Sequence, residues 1–93
     1  MLLELAIMAL TAGHHVNLNW EESTPQVEFN IYRSYQGPDG PWRKLNVSSP
    51  WPYLTYSDWQ VRAGRTYWYY VTAVSGGMES APSEVAEATV PTP

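Results

Sequence analysis

The sequence predicts an all-β protein folded as a seven-stranded antiparallel β-sandwich. Short segments of alternating apolar and polar residues are separated by turn-forming residues about every ten positions, which is typical of this class. The chain has 93 residues, enough for one domain with one core, and 5 Trp, 7 Tyr and 1 Phe to fill it. We expect residues 1–90 to form the domain and residues 91–93, Pro-Thr-Pro, to begin a proline-rich linker.

The first predicted strand spans Leu2 to Leu10. Two alternating sets of side chains could face the core, one that contains Leu5 and Ile7 and one that contains Met8 and Leu10, and the pattern does not choose between them. An alternative interpretation, a truncated signal peptide, is disfavoured because no basic residue precedes the segment and the residues around Ala12 do not form a cleavage pattern.

The other strands are predicted from period-two patterns. Val16, Leu18 and Trp20 share one face, and Phe29 and Ile31 share another. Residues 48–52 contain two prolines, which cannot donate ladder hydrogen bonds, so this segment is expected to be an edge or a loop. The remaining predicted strands are residues 14–20, 27–33, 42–47, 53–61, 66–74 and 85–90.

Four motifs, read in order, resemble the fibronectin type III family. The family has a Gly-Thr-x-Tyr-like turn followed by Tyr-x-aromatic-x-Val-x-Ala-Val, and the segment from Arg62 to Val74 has the same pattern. The other three are Trp20 in the second strand, residues 29–34 (Phe-Asn-Ile-Tyr-Arg-Ser, similar to bacterial members) and residues 79–83 ahead of the last strand. The resemblance covers residues 14–91 and implies an immunoglobulin-like fold in a bacterial-type module.

The resemblance has two departures. The loop before the last strand has no Arg-Gly-Asp tripeptide, so integrin adhesion is not implied, and the first strand lacks the usual proline-led start. Two residues are expected to be structural. Trp20 should lie at the centre of the core, and the hydroxyl of Tyr67 should bond to the backbone of the preceding loop as a tyrosine corner.

The composition excludes several functions. The chain lacks cysteine, which excludes disulfides and thiol chemistry. Nine acidic and five basic side chains give a formal net charge of -4, which disfavours nucleic acid and anionic membrane surfaces. No apolar run approaches the roughly 18 residues of a membrane helix, so we expect no membrane insertion.

No catalytic, metal or cofactor site is predicted. Adjacent residues of a strand point to opposite faces, so His14 and His15 should not converge on one metal ion. Glu21 and Glu22 lie in a predicted loop and could pair with Asp39 or Asp58 as hydrolase carboxylates, but we interpret the two glutamates as solvated loop residues. Residues 46–48, Asn-Val-Ser, form a glycosylation sequon that would matter only in a secretory host.

The surplus of aromatic residues provides the one candidate binding face. Tyr32, Trp68 and Tyr70 alternate out of phase with the core and should share the outer face of one sheet, with Trp42 nearby. Such a face could bind a polysaccharide or another protein. The alternative, which we favour, is that these rings stabilise the sheet and are covered by Trp42, Trp51 or the proline-rich loop.

The sequence therefore predicts a non-catalytic spacer or interaction module of a larger secreted or cell-envelope bacterial protein. Its partners are expected to be neighbouring domains of the same polypeptide, and the isolated domain is expected to be monomeric and extracellular. Two other functions stay open, an accessory carbohydrate- or protein-binding module and a hydrolase. Fold alone does not choose among them.

Overall fold

The computed structural model of the protein describes residues 7–24 and 26–92. The strands are β1 Ile7–Ala12, β2 His15–Trp20, β3 Glu28–Ser34, β4 Arg43–Lys44, β5 Thr55–Asp58, β6 Thr66–Ser75, β7 Met78–Glu79 and β8 Ala86–Thr89. They form two antiparallel sheets, one of β1, β2 and β5 and one of β4, β3, β6, β7 and β8. The predicted all-β sandwich is confirmed.

The final edge strand is interrupted, which adds one segment to the seven predicted strands. β7 and β8 both pair with β6 on the side opposite β3. Val74 of β6, for example, lies between Glu28 of β3 and Glu79 of β7. β7 and β8 are therefore two halves of one edge strand, and the predicted last strand, residues 85–90, contains β8 but not Met78–Glu79.

Two serines maintain the hydrogen bonding of β6 in the gap between β7 and β8. The hydroxyl of Ser80 accepts a hydrogen bond from the Ala73 N–H, and the hydroxyl of Ser83 accepts one from the Val71 N–H, both at 2.9 Å. Pro82 lies between the two serines and has no N–H to donate. The chain can therefore bend here while the amides of β6 remain paired.

The core lies between the two sheets. Trp20 is 2% exposed and its indole ring meets the Phe29 ring edge to face at 5.4 Å. Alternation along each strand supplies the rest, because every second side chain points to the same face. The other buried apolar residues are Val16, Leu18, Ile31, Tyr67, Tyr69, Val71, Ala73, Ala88 and Val90.

β1 continues two residues beyond its predicted end. Ala12 pairs with His15, so the chain reverses in a two-residue turn in which Gly13 has φ +59°. In the described part of this strand Ala9 packs against the core and Leu10 is exposed, which fixes its inward register. The beginning of the predicted strand, residues 2–6, lies outside the described residues.

The predicted strands 42–47 and 53–61 are shorter than expected. β4 ends at Lys44 because the side-chain amide of Asn46, rather than the backbone, binds the next free N–H of β3, at Ile31. β5 ends at Asp58 because the chain then turns, and the Gln60 N–H donates to the Asp58 carboxylate at 3.1 Å.

Candidate functional site

The predicted aromatic face lies on the outer surface of the five-stranded sheet. Tyr32 of β3 is the register partner of Tyr70 of β6, and their rings stack with centroids 4.6 Å apart and planes at 19°. Trp42, just before β4, meets the Tyr70 ring edge to face at 4.6 Å. We call these three residues the aromatic strip. Trp42 therefore covers Tyr70, as the structural interpretation of this face requires.

Glycine is required beneath Trp42. Gly40 has φ +96°, a conformation that L side chains rarely adopt. A Cβ atom at this position would also lie 2.8 Å from Cδ1 of the Trp42 indole. The glycine at position 40 thus leaves room for the Trp42 indole to pack against Tyr70.

Trp68 lies next to the strip and has a different partner. Its indole N–H donates to the Glu87 carboxylate of β8 at 3.0 Å. Of the covers that the sequence predicts as alternatives for this face, Trp42 contacts Tyr70, whereas Trp51 lies elsewhere. It forms a two-way backbone bridge with Phe29, and its ring packs edge to face on Tyr53 and Tyr56.

The Glu79 carboxylate binds the aromatic strip through a hydrogen bond from the Tyr32 hydroxyl. Oε2 of Glu79 on β7 accepts three hydrogen bonds, from the hydroxyls of Tyr32 and Thr72, each at 2.5 Å, and from the amide of Asn30 at 3.2 Å. This cluster joins three strands of the sheet across its outer face. The sequence signal was weak, because the pairing depends on β7, a strand of two residues.

The ionisation of this cluster follows from its hydrogen bonds. Burial, together with the hydrogen bond to Glu79, raises the pKa of Tyr32 to about 12. Burial alone would raise the pKa of Glu79, but the hydrogen bonds from Thr72, Tyr32 and Asn30 outweigh it and lower that pKa below its usual 4.5. At neutral pH the tyrosine therefore remains a donor and the carboxylate an acceptor.

Tyr67 has the geometry of a tyrosine corner. Its buried hydroxyl accepts a hydrogen bond from the Arg62 N–H at 2.9 Å. The turn between them needs Gly64, which has φ +80°, and the Gly64 N–H donates to the Val90 carbonyl at 2.8 Å. These bonds connect the loop before β6 to the residue that follows β8.

The sandwich also contains a buried ion pair. The Arg33 guanidinium, from β3, lies 2.9 Å from the carboxylate of Asp58 on β5, so the pair joins the two sheets. The Tyr69 hydroxyl donates to the same carboxylate at 2.7 Å, and Arg33 also donates to the Gln60 carbonyl at 3.2 Å. Burial and the Asp58 carboxylate raise the pKa of Tyr69 well above its usual value.

Asp58, which the sequence offers as a possible hydrolase carboxylate, is therefore a buried residue at the end of β5. Its side chain is 3% exposed. A signal for the pair was present, because Arg33 follows Ile31 at a spacing of two and should point to the same inward face. Charged side chains are rarely buried unless they are paired, and the pattern of β3 alone does not identify Asp58 as the partner of Arg33. The sequence analysis therefore did not predict the pair.

Asn46, the sequon residue, has a structural role. Its Oδ1 accepts the Ile31 N–H at 2.8 Å, and its Nδ2 donates to the carbonyls of Phe29 and Ser49 and to Oδ1 of Asn30 at 2.9 to 3.1 Å. The side chain thus replaces a peptide unit along the edge of β3. A glycan on Nδ2 would displace these bonds, so the folded domain does not offer this sequon for modification.

The outer face of the three-stranded sheet is different. His15 stacks on Trp59 with centroids 3.8 Å apart and planes at 18°. Beside this pair, the Ser57 hydroxyl donates to the Asn17 side-chain carbonyl at 2.8 Å. His15, at the start of β2, is thus a stacking partner of Trp59, and His14 lies in the adjacent turn.

The acidic and histidine side chains of the described residues are not gathered in one cluster. Among residues 7–24 and 26–92, no three His, Cys, Asp or Glu side chains are grouped so that they could hold a metal ion. The same residues include no helix with the length and hydropathy to cross a membrane. Two of the acids, Asp58 and Glu79, are occupied by donors of the same domain.

Comparison with solved structures finds similar folds in bacterial proteins. A Fn3-like protein from Clostridium thermocellum is 30% identical, with TM-score 0.72 over 94% of this chain and 88% of that protein. A β-1,2-glucanase from Parabacteroides distasonis is 27% identical, with TM-score 0.77 over 95% of this chain and 12% of the glucanase. A pectate lyase from Pectobacterium carotovorum has the same fold in 27% of its length, at 23% identity and TM-score 0.77.

The two enzymes are much longer than this chain, which spans only those small fractions of them. No protein-family model and no curated protein matches the sequence. The structural match to the Fn3-like protein nevertheless covers most of both chains, and it agrees with the two-sheet topology. The chain belongs to the fibronectin type III family.

Proposed function

We propose that this domain is a non-catalytic spacer module of a larger secreted or cell-envelope bacterial protein, where it holds neighbouring domains of the same polypeptide apart. The observation that carries the proposal is that two of its carboxylates are engaged within the domain. Asp58 and Glu79 are each bound by several donors of the same domain. Carboxylates engaged in this way serve the fold rather than acid–base chemistry.

The comparisons support an accessory role. The fold occurs as a small part of a β-1,2-glucanase, where this chain corresponds to 12% of the enzyme. By analogy, we infer that the catalytic function of the parent protein lies in another domain. The parent is then a carbohydrate-active protein, and residues 91–93 begin the linker to the next domain.

A spacer must also be stiff. The ion pair between Arg33 and Asp58 joins the two sheets, and the bond from Gly64 to Val90 holds the end of the last strand. Such links oppose sliding of one sheet over the other. The domain has a long axis of 42 Å, which makes it a useful spacing element.

A double fusion tests the spacer function. A folded reporter domain with one spin label is attached at each terminus, and pulsed dipolar spectroscopy measures the distance between the labels. The chain lacks cysteine, so the module adds no unwanted label. We expect one narrow distance distribution, whereas a Gly-Ser linker of equal length should give a broad one. A distribution as broad as that of the Gly-Ser control would refute the spacer function.

A further inference from the structure

Trp59 is an aromatic side chain that the fold leaves open. It is 68% exposed, whereas the other four tryptophans are buried or half-buried. Its indole is nevertheless held in place, because His15 stacks on one flank at 3.8 Å. The fixed ring presents its other flank to solvent, so little side-chain entropy is lost when a ligand stacks on it.

Polar side chains continue the surface next to Trp59. Asn17 and Asn19 of β2 are the register partners of Ser57 and Thr55 of β5, so they form two rows across the sheet. Successive rows on one face of a strand are about 7 Å apart. The bond from Ser57 engages only the carbonyl oxygen of the Asn17 amide, and its NH₂ group can donate to a ligand.

The surface is uncharged although the chain has a net charge of -4. With histidine neutral, its described side chains carry no formal charge. They are Leu10, His15, Asn17, Asn19, Thr55, Ser57 and Trp59. This set provides no cation for an anionic polymer, and its exposed apolar side chains, Leu10 and Trp59, are too few for the apolar centre of a stable protein interface.

An aromatic plane beside neutral donors and acceptors matches the chemistry of a sugar. A pyranose ring has an apolar face of C–H groups that stacks on an indole, and a rim of hydroxyls that bonds to amides. We propose that this surface binds a neutral polysaccharide. One sugar ring would stack on the open flank of Trp59, and hydroxyls of the polysaccharide would form hydrogen bonds with Asn17 and Asn19. Polysaccharide binding would be a second role beside spacing, and the distance measurement on the double fusion tests spacing independently of it.

Affinity electrophoresis tests the proposal with the whole chain. Native gels contain one of three neutral polymers, hydroxyethylcellulose, laminarin or galactomannan, or the anionic carboxymethylcellulose. We expect at least one neutral polymer to retard the chain. Trp59→Ala should weaken that retention by about tenfold or more, as expected for an aromatic anchor. Asn17→Ala should weaken it less, because it removes one polar contact.

Tyr35→Ala is the matched control. Tyr35 is 57% exposed and follows β3, in the other sheet, so its loss should leave retention unchanged. Thermal melts of all variants should coincide, which excludes unfolding as the cause of lost binding. The proposal is overturned if no neutral polymer retards the chain, if only carboxymethylcellulose does, or if Trp59→Ala is retained like the unmodified chain. Self-association that Trp59→Ala abolishes would instead assign the surface to a second copy of the chain.

Discussion

The two outer faces of the sandwich use their aromatic residues in opposite ways. On the five-stranded sheet, Tyr32, Tyr70 and Trp42 contact one another, and the Tyr32 hydroxyl is bound to Glu79. On the three-stranded sheet, Trp59 has one stacking partner and remains largely exposed. The face with more aromatic residues is therefore the closed one.

This difference shows that the number of aromatic residues on a face is a poor guide to binding. Stacked rings and engaged hydroxyls stabilise a sheet, and a ligand would have to replace those contacts before it could bind. A single ring with a fixed plane and an open flank does not have that cost.

The largest effect should come from the ion pair that joins the two sheets. Arg33→Leu leaves the buried Asp58 carboxylate without its cation, and we expect a loss of about 3–5 kcal/mol in the free energy of unfolding, measured by urea titration. Arg33→Leu combined with Asp58→Asn removes the stranded charge and keeps an acceptor for Tyr69. The double variant should be more stable than the single one; equal or lower stability would mean that the charge is not the cause.

A smaller effect is expected on the closed face alone. Gly40→Ala forces a side chain into φ +96° and against the Trp42 indole, which should cost about 1–3 kcal/mol. The near-ultraviolet circular dichroism of the strip should change as Trp42 leaves Tyr70. Gly37→Ala is the control, because a Cβ there meets nothing within 4 Å. If both variants melt alike, Gly40 does not hold Trp42 in place.

The pH dependence of stability tests the Glu79 cluster. The pKa of Glu79 is lowered on folding, so its ionised form favours the folded state. This contribution is present above the ordinary pKa of 4.5 and is lost as the pH falls through the lower folded value. Glu79→Gln should therefore cost about 1 kcal/mol at pH 7 and flatten the acid side of the stability profile. An unchanged acid slope would show that Glu79 is not responsible.

The fold could be predicted from the sequence because each long strand has its own alternating pattern of apolar and polar residues. The alternation in β2, β3 and β6 depends on one face being buried, and the motif from Arg62 to Val74 is continuous in the chain. The short elements could not be predicted as well. β4 ends early because the side chain of Asn46, in place of a backbone carbonyl, accepts the hydrogen bond from Ile31. The alternation of apolar and polar residues does not reveal such a side-chain bond.

The sites were harder to predict than the strands because they depend on pairs distant in sequence. Period two places Tyr32 and Tyr70 on an outer face, but the carboxylate that binds Tyr32 is 47 positions away in a two-residue strand. Trp59 is similar. Its ring stacks on His15, which lies in β2, far from Trp59 in the sequence. The sequence shows each residue but not its partner.

The most direct test of the contrast is to compare the free energies of unfolding of two variants, Tyr70→Ala and Trp59→Ala. Tyr70 has two aromatic neighbours within 4.6 Å, whereas Trp59 is mostly in solvent. We predict that Tyr70→Ala lowers the stability by about 2–3 kcal/mol and that Trp59→Ala changes it by less than about 1 kcal/mol. Equal losses, or a larger loss for Trp59→Ala, would contradict the assignment of one face to the fold and the other to a ligand.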